Sequence, residues 1–150
     1  MKIFVDADAC PVKEIIVDIA KNFGLEVYMY FDTSHIYEDG YSHVFTVDKQ
    51  SDSADFAIIN KMTEGDVCVT QDYGLAAMVI GKKCYAINQN GFQYTNDNID
   101  QMLFRRHISK KLRQAGKKTS KIRPRTDDDN RNFRDFFYVF IRDSINGKNV

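Results

Sequence analysis

Five aspartates carry the chemistry open to this sequence. Asp6 and Asp8 come directly after Ile3-Phe4-Val5, a short apolar run that reads as a fully buried strand, and Pro11 then opens an amphipathic helix. Proline suits the first helical position because it has no N–H to lose there and its φ is already helical. Asp72 stands just beyond a second such run, Val67-Cys68-Val69-Thr70. Asp52 and Asp55, three apart, share one face of the first turn of the helical segment that feeds this second run. Open α/β sheets bind ligands outside the carboxyl ends of their strands, at the point where successive crossovers turn opposite ways. With the two runs as neighbouring strands, all five carboxylates line one crevice.

Such crowding has an energetic consequence. Two like charges about 4 Å apart repel by roughly 4 kcal/mol at an effective dielectric near 20, so the group calls for a cation or for raised pKa values. An all-oxygen donor set suits a hard divalent ion, Mg²⁺ or Mn²⁺, and the lack of an accompanying Cys/His set argues against zinc. A local explanation competes with this one. Aspartate is common at helix N-caps and strand exits, and Asp52 with Asp55 can serve as cap and dipole complement. Asp6, Asp8 and Asp72 favour the metal because separate strand exits agree. Cys10 sits at a helix start, but no arginine follows at phosphatase-loop spacing, so its role is structural. Of the three histidines only His35, beside Ser34 in a strand-exit loop, is placed for substrate contact.

Alternating elements position these residues. Val12, Ile15, Ile16, Ile19, Ala20 and Phe23 repeat with a helical period that stops at Gly24, followed by strands over residues 26–31 and 44–47. A helix is expected over residues 51–62, a strand over 67–70, a helix over 73–80 and a fifth strand over 84–87. This alternation indicates parallel βαβ units with right-handed crossovers. Asn88-Gln89-Asn90-Gly91 is loop chemistry, and Thr95 caps a long helix reaching about Ala115. Thr126 with Asp129 three residues on marks the start of a last helix, whose Phe133, Phe136, Phe137, Phe140 and Ile141 form a stripe fit for core packing.

The 150 residues suggest one domain, an α/β core over 1–95 with a basic two-helix extension over 96–150 packed on it. No apolar run approaches the roughly 20 residues of a membrane span, and the N-terminus lacks a signal-peptide pattern, so no membrane partner and a cytoplasmic location are expected. The three cysteines have no metal spacing and read as buried thiols. Zero net charge hides an asymmetry. Residues 1–104 hold 7 Lys/Arg against 16 Asp/Glu, whereas residues 105–150 hold 14 against 5. From Arg105 to Arg125 there are ten basic residues and no acidic one. Such an arm either pairs with the acidic body or contacts a polyanion.

Three segments together resemble a known family: Val5-Asp6-Ala7-Asp8-Ala9-Cys10-Pro11, Thr70-Gln71-Asp72-Tyr73-Gly74-Leu75-Ala76, and Arg123-Pro124-Arg125-Thr126 with Asp127 and Phe133. With Ser53-Ala54-Asp55 they resemble the bacterial YaiI/YqxD family, which looks like a branch of the PIN-like nuclease superfamily. The resemblance implies a PIN-like three-layer α/β/α sandwich with a mostly parallel five-stranded sheet plus C-terminal helices. It implies Mg²⁺ or Mn²⁺ held by Asp6, Asp55 and Asp72, with Asp8 and Asp52 as further ligands or water-orienting groups. The expected reaction is phosphodiester hydrolysis, on RNA rather than DNA. Lys13, Thr70, Gln71, Arg105, Arg106, Lys110, Lys111, Arg113, Arg123 and Arg125 are the candidate phosphate contacts. Two alternatives remain. One is a haloacid-dehalogenase-like phosphatase using Asp6 and Asp8 with Thr70 binding phosphate; the other is a non-catalytic RNA-binding or regulatory module.

Overall fold

In a computed structural model the chain is described over residues 1–32, 36–48, 53–118 and 123–148. Six strands form one sheet: β1 (Ile3–Asp6), β2 (Val27–Phe31), β3 (His43–Thr46), β4 (Val67–Val69), β5 (Tyr85–Asn88) and β6 (Phe92–Tyr94). Five helices connect or follow them: α1 (Lys13–Phe23), α2 (Ser53–Lys61), α3 (Tyr73–Gly81), α4 (Asn96–Gln114) and α5 (Asp127–Ile145). The strand order is β3-β2-β1-β4-β5-β6, parallel throughout except for β6. Crossovers run outward from β1 in one direction and from β4 in the other, so the switch point lies between those two strands.

Burial on both faces explains why the central strands read as unbroken apolar runs. Ile3 and Val5 turn to one side, against α1 and α5, and Phe4 turns to the other, against α2, α3 and α4. Two cores result, one on each side of the sheet. That is a three-layer α/β/α sandwich. Among the described residues no helix is long and apolar enough to cross a membrane.

The sheet has six strands where five were expected. Asn88–Gly91 is a tight turn rather than a plain loop, and it folds Phe92–Tyr94 back antiparallel onto β5. The polar Gln93 between two aromatics hid a strand only three residues long. The first helix begins at Lys13, with Pro11 in the preceding turn and Val12 at the N-cap. Gly24 ends that helix in the left-handed conformation, φ 65°, as its place in the sequence suggests. Thr95 and Thr126 each form a reciprocal capping box, with Asn98 and Asp129 respectively.

The last helix is part of the core. Phe133, Phe137 and Ile141 have no exposure at all, and Phe136 is half-buried beside them. Two contacts seat its N-terminal end on the β5–β6 turn. Arg125 donates to the Gln89 carbonyl at 2.7 Å, to Asn90 Oδ1 at 2.8 Å and to Asn130 Oδ1 at 2.7 Å. Gly91, at φ +86°, lies so near the Asn132 backbone that a Cβ would stand 2.8 Å from its carbonyl oxygen. Removing the Phe137 ring leaves a void in a dry core, and Phe137→Ala is expected to cost about 3–5 kcal/mol in urea unfolding. A loss under about 1 kcal/mol in that measurement would mean α5 is only loosely attached.

Candidate functional site

The register of β1 and β4 builds the site. Val5 pairs with Val69, so one step further along the chain Asp6 and Thr70 emerge side by side. The Thr70 hydroxyl donates to Asp6 Oδ2 at 2.9 Å and accepts from the Asp72 N–H at 3.0 Å. Its carbonyl accepts from the Tyr94 hydroxyl, which in turn accepts from the Asn88 amide. Asp72 is the N-cap of α3, where its Oδ1 accepts from the N–H groups of Gly74 and Leu75. Asp8 reaches the neighbouring strand and accepts from the Asp32 N–H at 2.5 Å. Asp55 stands in the first turn of α2, half-buried. Separate elements thus orient each carboxylate.

These groups sense one another. The Asp6 carboxyl is pushed up to about 6, chiefly by burial. The Thr70 hydrogen bond opposes the rise, and the charges of Asp55, Asp72 and Asp8 add to it. Among the described residues Asp6 makes no ion pair. An open cleft of about 500 Å³ lies over it, lined by Asp6, Asp8, Gln71, Asp72, Tyr73, Arg106 and Arg113. Arg106 reaches across from α4 and places Nη1 3.5 Å from Asp72 Oδ1.

Every group that raises Asp6 by its charge is a carboxylate, the donor type that hard divalent ions take. As the side chains stand, no three His, Cys, Asp or Glu among the described residues are gathered closely enough to hold a metal. Asp52 and His35 lie outside the described residues.

The other candidates divide into two groups. Gln71, Arg106 and Arg113 line the cleft. Arg105, Lys110 and Lys111 are exposed on α4 without an ion pair among the described residues. The rest are turned to structural work. Lys13 Nζ donates to the carbonyls of Cys10 and Ala7, at 2.7 and 3.4 Å, and lines a different cavity. Arg123 forms a two-pronged pair with Asp129, at 2.6 and 3.0 Å, and Arg125 is the staple described above. The phosphate-binding role that a phosphatase would give Thr70 needs a hydroxyl facing the cleft, whereas this one is buried and bonded on both sides. Cys10 is buried, and burial pushes its thiol up, away from the reactive range.

Two features escaped sequence reasoning. In the sequence Tyr73 reads as a helix start within the second resemblance motif, although an aromatic directly after Asp72 has to share that carboxylate's surroundings. The Arg106–Asp72 contact joins residues far apart in sequence, and no local pattern announces it.

The sheet order and the acidic crevice at its switch point, with a basic helix alongside, define a doubly wound α/β protein with a charged cleft at that point. Residues 4–143 match the family described as "Uncharacterized BCR, YaiI/YqxD family", and the chain belongs to it. It is 50% identical over 147 residues to a "UPF0178 protein" of Ruminiclostridium cellulolyticum, covering 98% of this chain and 96% of the relative. Identity to a "UPF0178 protein" of Clostridium kluyveri is 47% over 148 residues, 99% of this chain and 95% of that one. A third "UPF0178 protein", from Alkaliphilus oremlandii, is 44% identical over 145 residues, 97% of this chain and 94% of its own. No solved structure gives a significant match.

The raised Asp6 has a measurable signature. Its folded pKa of about 6 exceeds the ordinary 3.8, so between these values the native state holds more protons than the unfolded one. Stability therefore falls as pH rises through that window. Asp6→Asn keeps an oxygen for the Thr70 hydroxyl and removes the charge. In chelator the variant is expected to be more stable than wild type by on the order of 1–2 kcal/mol at about pH 7.5, with the difference vanishing near pH 4. A pH-independent difference in denaturant melts would refute the crowding.

Proposed function

We propose that this protein is a divalent-metal-dependent phosphodiesterase acting on nucleic acid, with Mg²⁺ or Mn²⁺ bound at the switch point. One observation carries the reading: Asp6, raised to about 6 by burial and by the charges of three other carboxylates, lines one cleft together with Arg106 and Arg113. The carboxylates attract a cation, and the arginines attract phosphate. RNA as the preferred substrate rests on the resemblance to PIN-like nucleases.

A bound divalent ion would supply an acidified water and neutralise charge on the phosphate. The chain's own residues do the positioning. Asp6, Asp55 and Asp72 are the ligand carboxylates, the first and last held in orientation by the Thr70 hydroxyl and the α3 N-terminus. Asp8, tethered to the exit of β2, is the outer ligand or water-orienting base, and Asp52 is a further ligand by the resemblance. Arg106 is placed to exchange Asp72 for a substrate phosphate, since both side chains are partly exposed. Arg105, Arg113, Lys110 and Lys111 extend the positive surface along α4.

Manganese titration followed by thermal melting tests the metal site, and cleavage of labelled single-stranded RNA tests the chemistry. Mn²⁺ at about a hundred times its Kd stabilises by about 2.7 kcal/mol, which raises Tm by about 5–10 °C in a chain of this length. Asp6→Asn and Asp72→Asn are expected to lose both this shift and cleavage. No Mn²⁺ shift in wild type would remove the metal site. A shift without cleavage above the Asp6→Asn control would leave a non-catalytic binding module.

A further inference from the structure

The cleft holds two groups that the hydrolytic chemistry above does not use. Tyr73 is half-buried in its wall, and a T-shaped contact with Tyr94 at 5.9 Å and 65° holds the ring. Gln71, two residues before it, is exposed and lines the same cleft. Arg106 and Arg113 of α4 line the same cleft, and Lys110 lies between them on that helix. Arg106, Lys110 and Arg113 are spaced i, i+4 and i+7, so they share one helix face. Arg106 and Arg113 both line the cleft, about 10 Å apart along the helix axis at 1.5 Å per residue. Two guanidiniums at that distance address different phosphates of one strand.

A ring, an amide and cations gathered in one cleft match the base and the phosphates of a nucleotide chain. Aromatic rings take unpaired bases by stacking, and a carboxamide offers both a donor and an acceptor to a base edge. A base inside a duplex is stacked and turned inward, out of reach of Tyr73 between carboxylate and arginine. We infer that the ligand of this cleft is a single-stranded nucleic acid segment, with one unpaired base on Tyr73 and Gln71 and its flanking phosphates on Arg106, Lys110 and Arg113. This deepens the reading above and rests on its phosphate-attracting arginines. It does not depend on turnover.

Binding measured without turnover separates the two. Fluorescence anisotropy with the Asp6→Asn protein in chelator uses a labelled single strand of about 12 nucleotides and a blunt duplex of the same sequence. The single strand is expected to bind at least tenfold more tightly. Tyr73→Phe keeps that affinity. Tyr73→Leu, which retains apolar bulk without a ring, lowers it about 5- to 100-fold. Arg113→Gln weakens single-strand binding and reduces the slope of log affinity against log salt by about 0.7. Equal or tighter binding of the duplex overturns the inference, as does a Tyr73→Leu protein that binds like wild type. If these binding results hold while the wild-type enzyme cleaves nothing in Mn²⁺, the hydrolytic reading fails and the single-strand site stands. Cleavage in Mn²⁺ with a Tyr73→Leu protein that binds normally gives the reverse.

Discussion

One hydroxyl joins the two strand exits on which the cleft is built. Thr70 gives its proton to Asp6 and takes one from the backbone N–H of Asp72. Its own backbone is fixed from behind by the Tyr94 hydroxyl. Buried polar groups of this kind hold their neighbours in one geometry because breaking any bond leaves an uncompensated group away from water. The carboxylates therefore cannot simply turn apart to relieve their repulsion. The charge they concentrate shows instead in the Asp6 carboxyl, pushed up to about 6.

The surrounding charge is distributed to match. The body of the chain is acidic and the last third is basic, but the basic residues do not form one reserve. Arg123 and Arg125 are engaged within the fold, Arg123 pairing at the surface with Asp129 and Arg125 bonding the β5–β6 turn. Arg106 is partly neutralised by Asp72, a contact that is exposed on both sides and worth little in stability. What remains, along α4, is directed at the cleft and at solvent. Internal pairing and an external polyanion had looked like alternatives from composition. In the fold Arg123 and Arg125 are engaged internally, whereas Arg105, Lys110 and Lys111 are exposed.

Much of the cleft could be read from the chain because its parts are local. A run such as Ile3-Phe4-Val5 followed by two aspartates has few ways to fold, and Asp72 before a helix start is an N-cap by its own short-range preference. Thr95 and Thr126 behave in the same way. Other placements depend on contacts that the local pattern does not show. Lys13 has the right charge near a helix N-terminus, but its flexible stem lets it curl back to two carbonyls of the β1–α1 turn. Thr70 has the right chemistry to bind phosphate, yet strand register places it beside Asp6 and uses up its hydroxyl. The β6 strand is three residues long and takes its identity from pairing with β5. Thr70 is decided by a partner distant in sequence, and Lys13 and β6 by near neighbours whose contacts depend on side-chain and turn geometry, neither of which periodicity and spacing show.

The two C-terminal helices also show why the basic segment is not a detachable arm. Helix α5 supplies Phe133, Phe137 and Ile141 to the core beneath α1, so the first half of the chain cannot bury its sheet on that side without it. Helix α4 lies on the other side, held against the core through Ile99, Met102 and Leu103. That apolar edge fixes which face of α4 turns toward α3, and with it the direction of Arg106 and Arg113. A carboxylate cluster at a switch point attracts cations but repels the phosphates of a nucleic acid. Packing a basic helix against the same helix that Asp72 caps puts side chains of both signs around one cleft.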